Sequence, residues 1–500
     1  MKSRKIRKLL VANRGEIAVR VIKSAKEMGI KTVAVHSDID AAMPFVRLAD
    51  EAYAIGPAPA KESYLRMDKI VDAAKRSGAD AIHPGYGFLS ENDEFAELLL
   101  KEGIIFVGPS PESMREMGDK TAARRLAAKL GIPMTEGVIE PVNTIHGAHA
   151  IAKRIGYPIL IKAAAGGGGK GMRIVRADSE LESAYELAKS ESKSAFGDDR
   201  VYFEKYLDGA RHVEVQVLAD RHGNAVHLGE RECSIQRRHQ KLVEESPSVI
   251  VDETLRKALT EAALILVRES KYENAGTIEF LVDGDKNFYF LEMNTRLQVE
   301  HPVTEMRTGL DLVKEQIRIA EGNKLPFKQA DIEFRGAAIE CRVNAEDSAN
   351  DFFPSTGTIA HIGSTLGVHT REDRGMEPGS EVTPYYDSLI SKIICWGKTR
   401  EESLERMSRT LSDYVIYGVR TNLDLLSWIV SHPKFRSGEF STKFLGDHFT
   451  TAKLSQPNDD DRLLATIVCL QEETSRKATK TTGQNGAPKS KWAAMRFEDR

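Results

Sequence analysis

Four consecutive glycines, Gly166–Gly169, followed by Lys170 and Gly171, separate two apolar segments, Ile159-Leu160-Ile161-Lys162 and Met172-Arg173-Ile174-Val175. No other feature restricts the fold of this chain as much. Glycines free the backbone to adopt positive φ and to approach a ligand closely, and successive N–H groups in such a loop can hold phosphate oxygens. The string is not a GxxxxGKS/T phosphate loop, because Gly171 stands where Ser or Thr is required, and the segment after it reads as strand. A glycine-rich connection between two strands fits a hinged flap closing over nucleotide phosphates. A plain flexible hairpin turn also fits, although ordering a glycine run costs conformational entropy. Lys162 at the end of the first strand, and Lys120 after Met117-Gly118-Asp119, are candidates to reach the same phosphates. Each can equally be a solvated surface lysine.

The N-terminal residues alternate between two periodicities. Residues 8–12, 31–35, 80–83 and 104–107 read as short buried strands. Residues 16–28, 67–75 and 95–101 read as helices, the first with Ile17, Val21, Ala25 and Met28 on one stripe. Strands alternating with helices imply a parallel sheet covered on both faces. The first strand–helix junction is Asn13-Arg14-Gly15-Glu16 and lacks the glycine cradle of a dinucleotide site.

At 500 residues the chain has room for about three domains. Its 41% hydrophobic and 29% charged residues suit a globular core, and a net charge of −3 argues against a general polyanion binder. Cys233, Cys341, Cys395 and Cys469 lie far apart, which disfavours a thiolate zinc site or disulfide framework and points to a reducing, cytoplasmic setting. The apolar run after the basic start is too short for a signal-peptide core, and no stretch approaches the ~20 apolar residues of a spanning helix. The expectation is a soluble protein with no membrane and no nucleic-acid partner.

Residues 276–282 and 288–294 read as a hairpin connected through Asp283-Gly284. Glu279 and Glu292 interrupt its apolar strands, and Asn294 shares the face of Glu292. A buried carboxylate must be paired or bound to a cation; two carboxylates and an amide oxygen suit Mg²⁺. The alternative is a one-sided sheet with both glutamates in water. If residues 295–300 are extended, Arg296, Gln298 and Glu300 point the same way, giving either a small-anion site with a base or a charged outer face. The segment Gln236-Arg237-Arg238-His239-Gln240-Lys241 is basic, but acidic Glu244-Glu245 follow and no aromatics interleave, so a pocket for anionic substrates suits it better than nucleic acid.

Taken in order, Ala12 to Ala18 (ANRGEIA), His83 to Asn92 (HPGYGFLSEN), Met117 to Lys120, the glycine loop, Gln236 to Lys241, Glu292 to Glu305, Glu340 to Asp347 (ECRVNAED) and Tyr385 to Ser388 resemble the biotin carboxylase family of the ATP-grasp superfamily over about residues 5–447. The resemblance implies a fold of mixed α/β and α+β class. Residues 1–117 form a Rossmann-like N-terminal domain and 118–334 an ATP-grasp domain, with a mobile lid at about 133–206. Residues 335–447 form a biotin carboxylase C-terminal domain, and 448–500 a polar tail open to a partner. It also implies ATP contacts at Lys120, Lys162, Gly166, Gly167, Gly168, Gly169, Gly171, Glu204, Lys205, Leu207, His212, Gln236, His239 and Leu281. Two Mg²⁺ or Mn²⁺ ions would lie on Glu279, Glu292 and Asn294, and bicarbonate on Lys241, Arg296, Gln298, Val299 and Glu300. Tyr86 and Arg342 would lie near biotin.

Glu300 is the implied general base, with Arg296, Lys241 and Arg342 completing the catalytic set and carboxyphosphate the implied intermediate. The tail holds no lysine between methionines; Ala494-Met495-Arg496 is the nearest approach. The expectation is therefore a biotin carboxyl carrier protein on a separate chain, together with a carboxyltransferase subunit and a homodimer. Lys491-Trp492 in the tail is either a partner anchor or uninvolved. The final acceptor is expected to be acetyl-CoA or propionyl-CoA, with pyruvate as the alternative. Another ATP-grasp ligase should lack the 236–241 and 296–300 strings, and a non-catalytic nucleotide-binding subunit should have lost lysines, metal ligands or Glu300.

Overall fold

The computed structural model describes residues 4–138, 140–163, 172–363 and 367–451, together with positions 466, 467 and 470. Strands β1 (Lys8–Val11), β2 (Lys31–Ser37), β3 (Glu51–Gly56), β4 (Ala81–His83) and β5 (Ile105–Phe106) form a sheet in the order β3-β2-β1-β4-β5. All neighbours in it are parallel. Parallel neighbours require crossovers, and the helices Gly15–Glu27, Met67–Ser77 and Asp93–Lys101 supply them. The expected stripe Ile17, Val21 and Ala25 is buried, and Met28 packs against the same core from the helix end. The strand expected over 104–107 is shorter, two residues long.

The junction after β1 is occupied by contacts within the protein. Asn13 Nδ2 donates to the carbonyls of Pro84 and Tyr86 at 2.7 Å each. Gly85, between them, has φ +65°, and a Cβ there would lie 2.8 Å from Asn13 Nδ2. Arg14 pairs with Asp40 at 2.8 Å and lies 4.0 Å over the Tyr386 ring, while Glu16 accepts the Tyr86 hydroxyl. Two of the sequence strings are thus one packed unit.

Next in the chain, β6 (Ile159–Ala163), β7 (Arg173–Val175) and β8 (Val201–Lys205) form a small antiparallel sheet in the order β7-β6-β8. Its own core is Ala148, Ala152, Leu181 and Tyr185 from two helices against Ile159, Ile161, Val175 and Phe203.

The largest layer is an eight-stranded antiparallel sheet. It contains β9 (Arg211–Ala219), β10 (Ala225–Arg237), β11 (Gln240–Ser246), β12 (Asn274–Val282), β13 (Phe288–Asn294) and β14 (Ala337–Asn344), then the strands Leu389–Gly397 and Thr370–Arg374. Their order is β13-β12-β9-β10-β11-β14, then 389–397 and 370–374. The sheet runs without a break past residue 334, because β11 pairs with β14 through Val243↔Cys341 and Glu244↔Glu340. Strand β9 is buried along its whole length. Val213, Val215 and Val217 join the core under the helix Glu253–Glu269, with Leu255, Leu259 and Leu266, so the alternate residues His212, Glu214 and Gln216 face the other way. In the β12–β13 connection Asp283 Oδ1 accepts the N–H groups of Asp285 and Asn287; the left-handed residue is Lys286, at φ +64°. Among the described residues no helix is long and apolar enough to cross a membrane.

Gly375, after the strand Thr370–Arg374, lies against the start of the N-terminal helix Gly15–Glu27. A Cβ there would lie 2.3 Å from Glu16 N and 2.7 Å from Gly15 C. Backbone on that side cannot rotate away, so Gly375→Ala should destabilise by roughly 1–3 kcal/mol, as overpacking does. Gly284→Ala, where a Cβ meets nothing within 4 Å, should stay within about 0.5 kcal/mol. Denaturant unfolding of the two variants checks this, and equal midpoints would show that the approach relaxes freely.

Candidate active site

The site is built on the polar face of the large sheet. Glu279 on β12 is directly opposite Glu292 on β13 and Glu214 on β9, and Glu214 is opposite Arg231 on β10. Opposed residues share a face, so three carboxylates and a guanidinium form one row. Lys241, on β11, reaches across it. Its Nζ lies 2.7 Å from Glu214 Oε2, 3.0 Å from Glu279 Oε1 and 2.6 Å from Glu300 Oε1. Burial pulls the Lys241 pKa down, but the surrounding acidic groups outweigh it and hold the ammonium charged well above its ordinary range.

Glu300 does not stand on an extended segment, as its spacing from Arg296 and Gln298 suggests. Residues 295–300 form a loop and turn leading into the helix His301–Thr308, with Glu300 at the N-cap and Pro302 in the first turn. Pro is preorganised for that position, so a helix start ends the strand pattern. The Glu300 side chain makes no capping bond. Instead one oxygen meets Lys241 and the other meets Arg342 Nη2 at 2.9 Å. Burial pushes the Glu300 pKa up, and Lys241, Arg342 and Arg231 more than reverse this, so the carboxyl is held well below the usual range.

Arg342 on β14 also donates through Nε to Glu244 Oε1 at 2.6 Å. Burial, against the pull of Arg342, pushes the Glu244 carboxyl up to about 7. Arg296 closes the near side, with Nε 2.8 Å from Glu91, Nη1 2.8 Å from Gln298 and Nη2 3.0 Å from Asn294. Gln298 Nε2 reaches Glu279 at 3.2 Å, and the Val299 carbonyl accepts from Lys392 at 2.6 Å. Tyr86 is tied to Glu16 and lies in the field of Arg342. Glu300, Arg296, Lys241, Arg342 and Gln298 therefore converge in one largely buried cluster, by a turn rather than by strand alternation.

The residues expected around ATP divide between the small and large sheets. Lys120 opens the helix Lys120–Lys129, capped by Asp119. A lysine at that positive helix end is unfavourable on its own, and it pairs with Glu292 at 3.2 Å. Lys162 on β6 lies 2.7 Å from Glu204 Oε2 on β8, and Arg124 lies 2.7 Å from the other oxygen. Lys205, next along β8, points away: its ammonium caps the carbonyls of Gly156 and Tyr157, leaving only its backbone beside Glu204. Leu207 follows in the connection to β9. His212 is opposite Leu281 in register and bonds Glu279 at 2.8 Å. Gln236 is opposite Lys241. His239, in the β10–β11 turn at φ +68°, has its pKa lowered by burial and by the charges of Lys162 and His212. Gly166, Gly167, Gly168, Gly169 and Gly171 lie outside the described residues, as does the tail from 452 apart from 466, 467 and 470.

The donor set fits a hard divalent cation. Glu279 and Glu292 are in register with Asn294 two residues on, and their charge is here balanced by Lys241, His212 and Lys120. Asn294 presents Nδ2 to Glu279 at 2.8 Å and Oδ1 to Arg296; a half-turn of the amide exchanges the two.

Several residues that shape the site carry no role in the sequence reading. Arg231 is fully buried, bonded to Glu214, Gln216, Thr277 and Thr304. Glu214, Glu244, Arg124, Glu91 and Lys392 complete the charge balance. The alternation His212-Val213-Glu214-Val215-Gln216-Val217 was the available signal for Glu214. Nothing local marks Arg231 or Lys392.

Three family models cover the chain: "Biotin carboxylase, N-terminal domain" over residues 5–114, "Carbamoyl-phosphate synthase L chain, ATP binding domain" over 119–328 and "Biotin carboxylase C-terminal domain" over 340–447. The alpha chain of human mitochondrial propionyl-CoA carboxylase is 54% identical over 442 residues, 88% of this chain and 61% of that protein, so this chain spans about three-fifths of its length. The biotin carboxylase domain of Hydrogenobacter thermophilus 2-oxoglutarate carboxylase, a dimer in complex with MgADP, ADP and bicarbonate, superposes with a TM-score of 0.88 at 47% identity, covering 91% of this chain and all of that one. Biotin carboxylase 1 of Bacillus subtilis is 50% identical over 88% of this chain and 98% of its own length. A likeness that spans a whole biotin carboxylase, carried by a fold of the same kind, shows that the chain belongs to the biotin carboxylase family.

Proposed function

We propose that this chain is the biotin carboxylase component of an acyl-CoA carboxylase, using ATP to activate bicarbonate and placing the carboxyl group on biotin borne by a carrier protein. The observation that carries this reading is the Lys241 ammonium, which lies within 3.0 Å of Glu214, Glu279 and Glu300 at once. It joins the hairpin, the basic segment and the 296–300 turn in a single pocket, with Arg342 on the far side of Glu300.

In this reading Lys120, Lys162, Glu204, Lys205, Leu207, His212, Gln236, His239, Leu281 and the glycine loop hold ATP. Glu279, Glu292 and Asn294 hold Mg²⁺ or Mn²⁺, which when bound draws charge from the phosphate oxygens. Lys241, Arg296, Gln298 and the Val299 backbone hold bicarbonate. Glu300, ionised by its cationic neighbours, takes the bicarbonate hydroxyl proton. The freed oxygen attacks the γ-phosphorus, ADP leaves, and carboxyphosphate breaks to CO₂ and phosphate. Phosphate takes the biotin N1 proton and the nitrogen attacks CO₂, while Arg342 steadies the ureido oxygen, with Tyr86 beside it. The similarity to a propionyl-CoA carboxylase chain favours an acyl-CoA as final acceptor, with a carboxyltransferase and a second copy of this chain as further partners.

The purified chain should hydrolyse ATP only when bicarbonate is present, faster with free biotin. Glu300→Gln should lower turnover about 10²–10⁴-fold, the range for a lost general base. Turnover near wild type would remove Glu300 from that role.

A second expectation concerns pH. With its carboxyl at about 7, Glu244 is neutral below that pH and charged above it. Its ion pair with Arg342 therefore weakens as pH falls. At fixed bicarbonate concentration, biotin carboxylation should show an acid limb near 7 that is lost in Glu244→Gln. An unchanged limb in that variant would assign it to another group.

A further inference from the structure

We infer that Lys392 is a positioning residue for the bicarbonate pocket: its ammonium holds the Val299 carbonyl, and with it the turn carrying Glu300, while tying that turn through Glu16 to Tyr86. This rests on the function proposed above and adds a residue that has no role in it. Lys392 stands on the strand Leu389–Gly397, and its side chain and that of Glu16 are 0% and 1% exposed. Its Nζ donates to the Val299 carbonyl at 2.6 Å, with Glu16 Oε1 at 3.2 Å and Asp373 Oδ2 at 3.9 Å. Glu16 Oε1 also accepts the Tyr86 hydroxyl. Three separate segments thus meet on one ammonium.

A buried ion pair is by itself weak evidence of a role, since an apolar pair often serves as well. Here, however, the shortest bond is to a neutral carbonyl of the turn, not to the carboxylate. Lys392 is moreover directly opposite Arg342 in register, which puts two cations side by side, with Glu16, Glu340 and Asp373 facing the first and Glu244, Glu300 and Glu340 the second. Stability alone is often served as well by apolar side chains; the ammonium in addition fixes the Val299 carbonyl, and so the turn carrying Glu300, on the strand that pairs with that of Arg342.

Bicarbonate-dependent ATP hydrolysis tests this in the full chain. Lys392→Met should raise the apparent KM for bicarbonate about ten- to a hundredfold, as expected for one lost charge-assisted hydrogen bond, with the KM for ATP unchanged. Because Lys392→Met leaves Glu16 buried without its cation, the double variant Lys392→Met with Glu16→Gln decides the matter. It should recover thermal stability without recovering the bicarbonate KM, and Lys392→Arg should recover part of it. A wild-type bicarbonate KM in either methionine variant, an equal rise for ATP and bicarbonate, or failure of both to fold would overturn the assignment, the last because it would make Lys392 a determinant of folding alone. Absence of bicarbonate dependence in the unaltered chain would instead sink the proposed function.

Discussion

One buried ammonium organises this site. Lys241 is held by three carboxylates, two of which have no exposed surface. Such a cluster is stable only if its charges nearly balance, because each ion loses hydration worth several kcal/mol on burial. The balance extends outward through named partners: Arg231 on Glu214, His212 on Glu279, and Arg342 between Glu300 and Glu244. Glu214, Glu279 and Glu300 each meet two cations, so removing one cation leaves buried negative charge in excess, at a cost of up to roughly 3–5 kcal/mol, the range for a broken buried pair. The residues proposed to have chemical roles are therefore also ones on which the local charge balance depends.

That cluster needs the large sheet to be continuous. Lys241 and Glu244 come from β11, Glu279 from β12 and Arg342 from β14, across a register in which β11 bridges the segments before and after residue 334. A sheet spaces neighbouring strands by about 4.8 Å, so side chains distant in sequence meet at hydrogen-bond distance without any loop having to place them. The N-terminal unit contributes from outside the sheet. Asn13 fixes the Pro84–Tyr86 backbone, Glu16 takes both the Tyr86 hydroxyl and the Lys392 ammonium, and Glu91 holds Arg296.

Much of this was visible beforehand. The parallel N-terminal sheet follows from alternating periodicities, and the shared face of Glu292 and Asn294 from a hairpin read in period two, while the register of Glu279 against Glu292 is a finding of the structure. Where the reading departed, a local rule had met a stronger one. An extended segment would put residues 296, 298 and 300 on one face, yet Pro302 lies in the first turn of a helix and the segment before it is a turn. The carboxylates still converge, since their cationic partners lie on fixed strands. Lys205 and Glu204 are neighbours on one strand and point to opposite faces, the Lys205 ammonium going to a helix end.

From the sequence alone come the identity of the elements, the residues that share a face within each, and the strings that resemble one enzyme family. These depend on φ, ψ and side-chain period over a few residues, which local chemistry sets. The tertiary structure alone decided that Arg231 is the hidden partner of Glu214, that Glu244 holds Arg342, and that Lys392 reaches the turn before Glu300. Each pairing joins residues 17 to 98 positions apart along the chain. No local period spans such distances; what brings the partners together is burial, which favours placing opposite charges from different strands beside one another on the sheet's polar face.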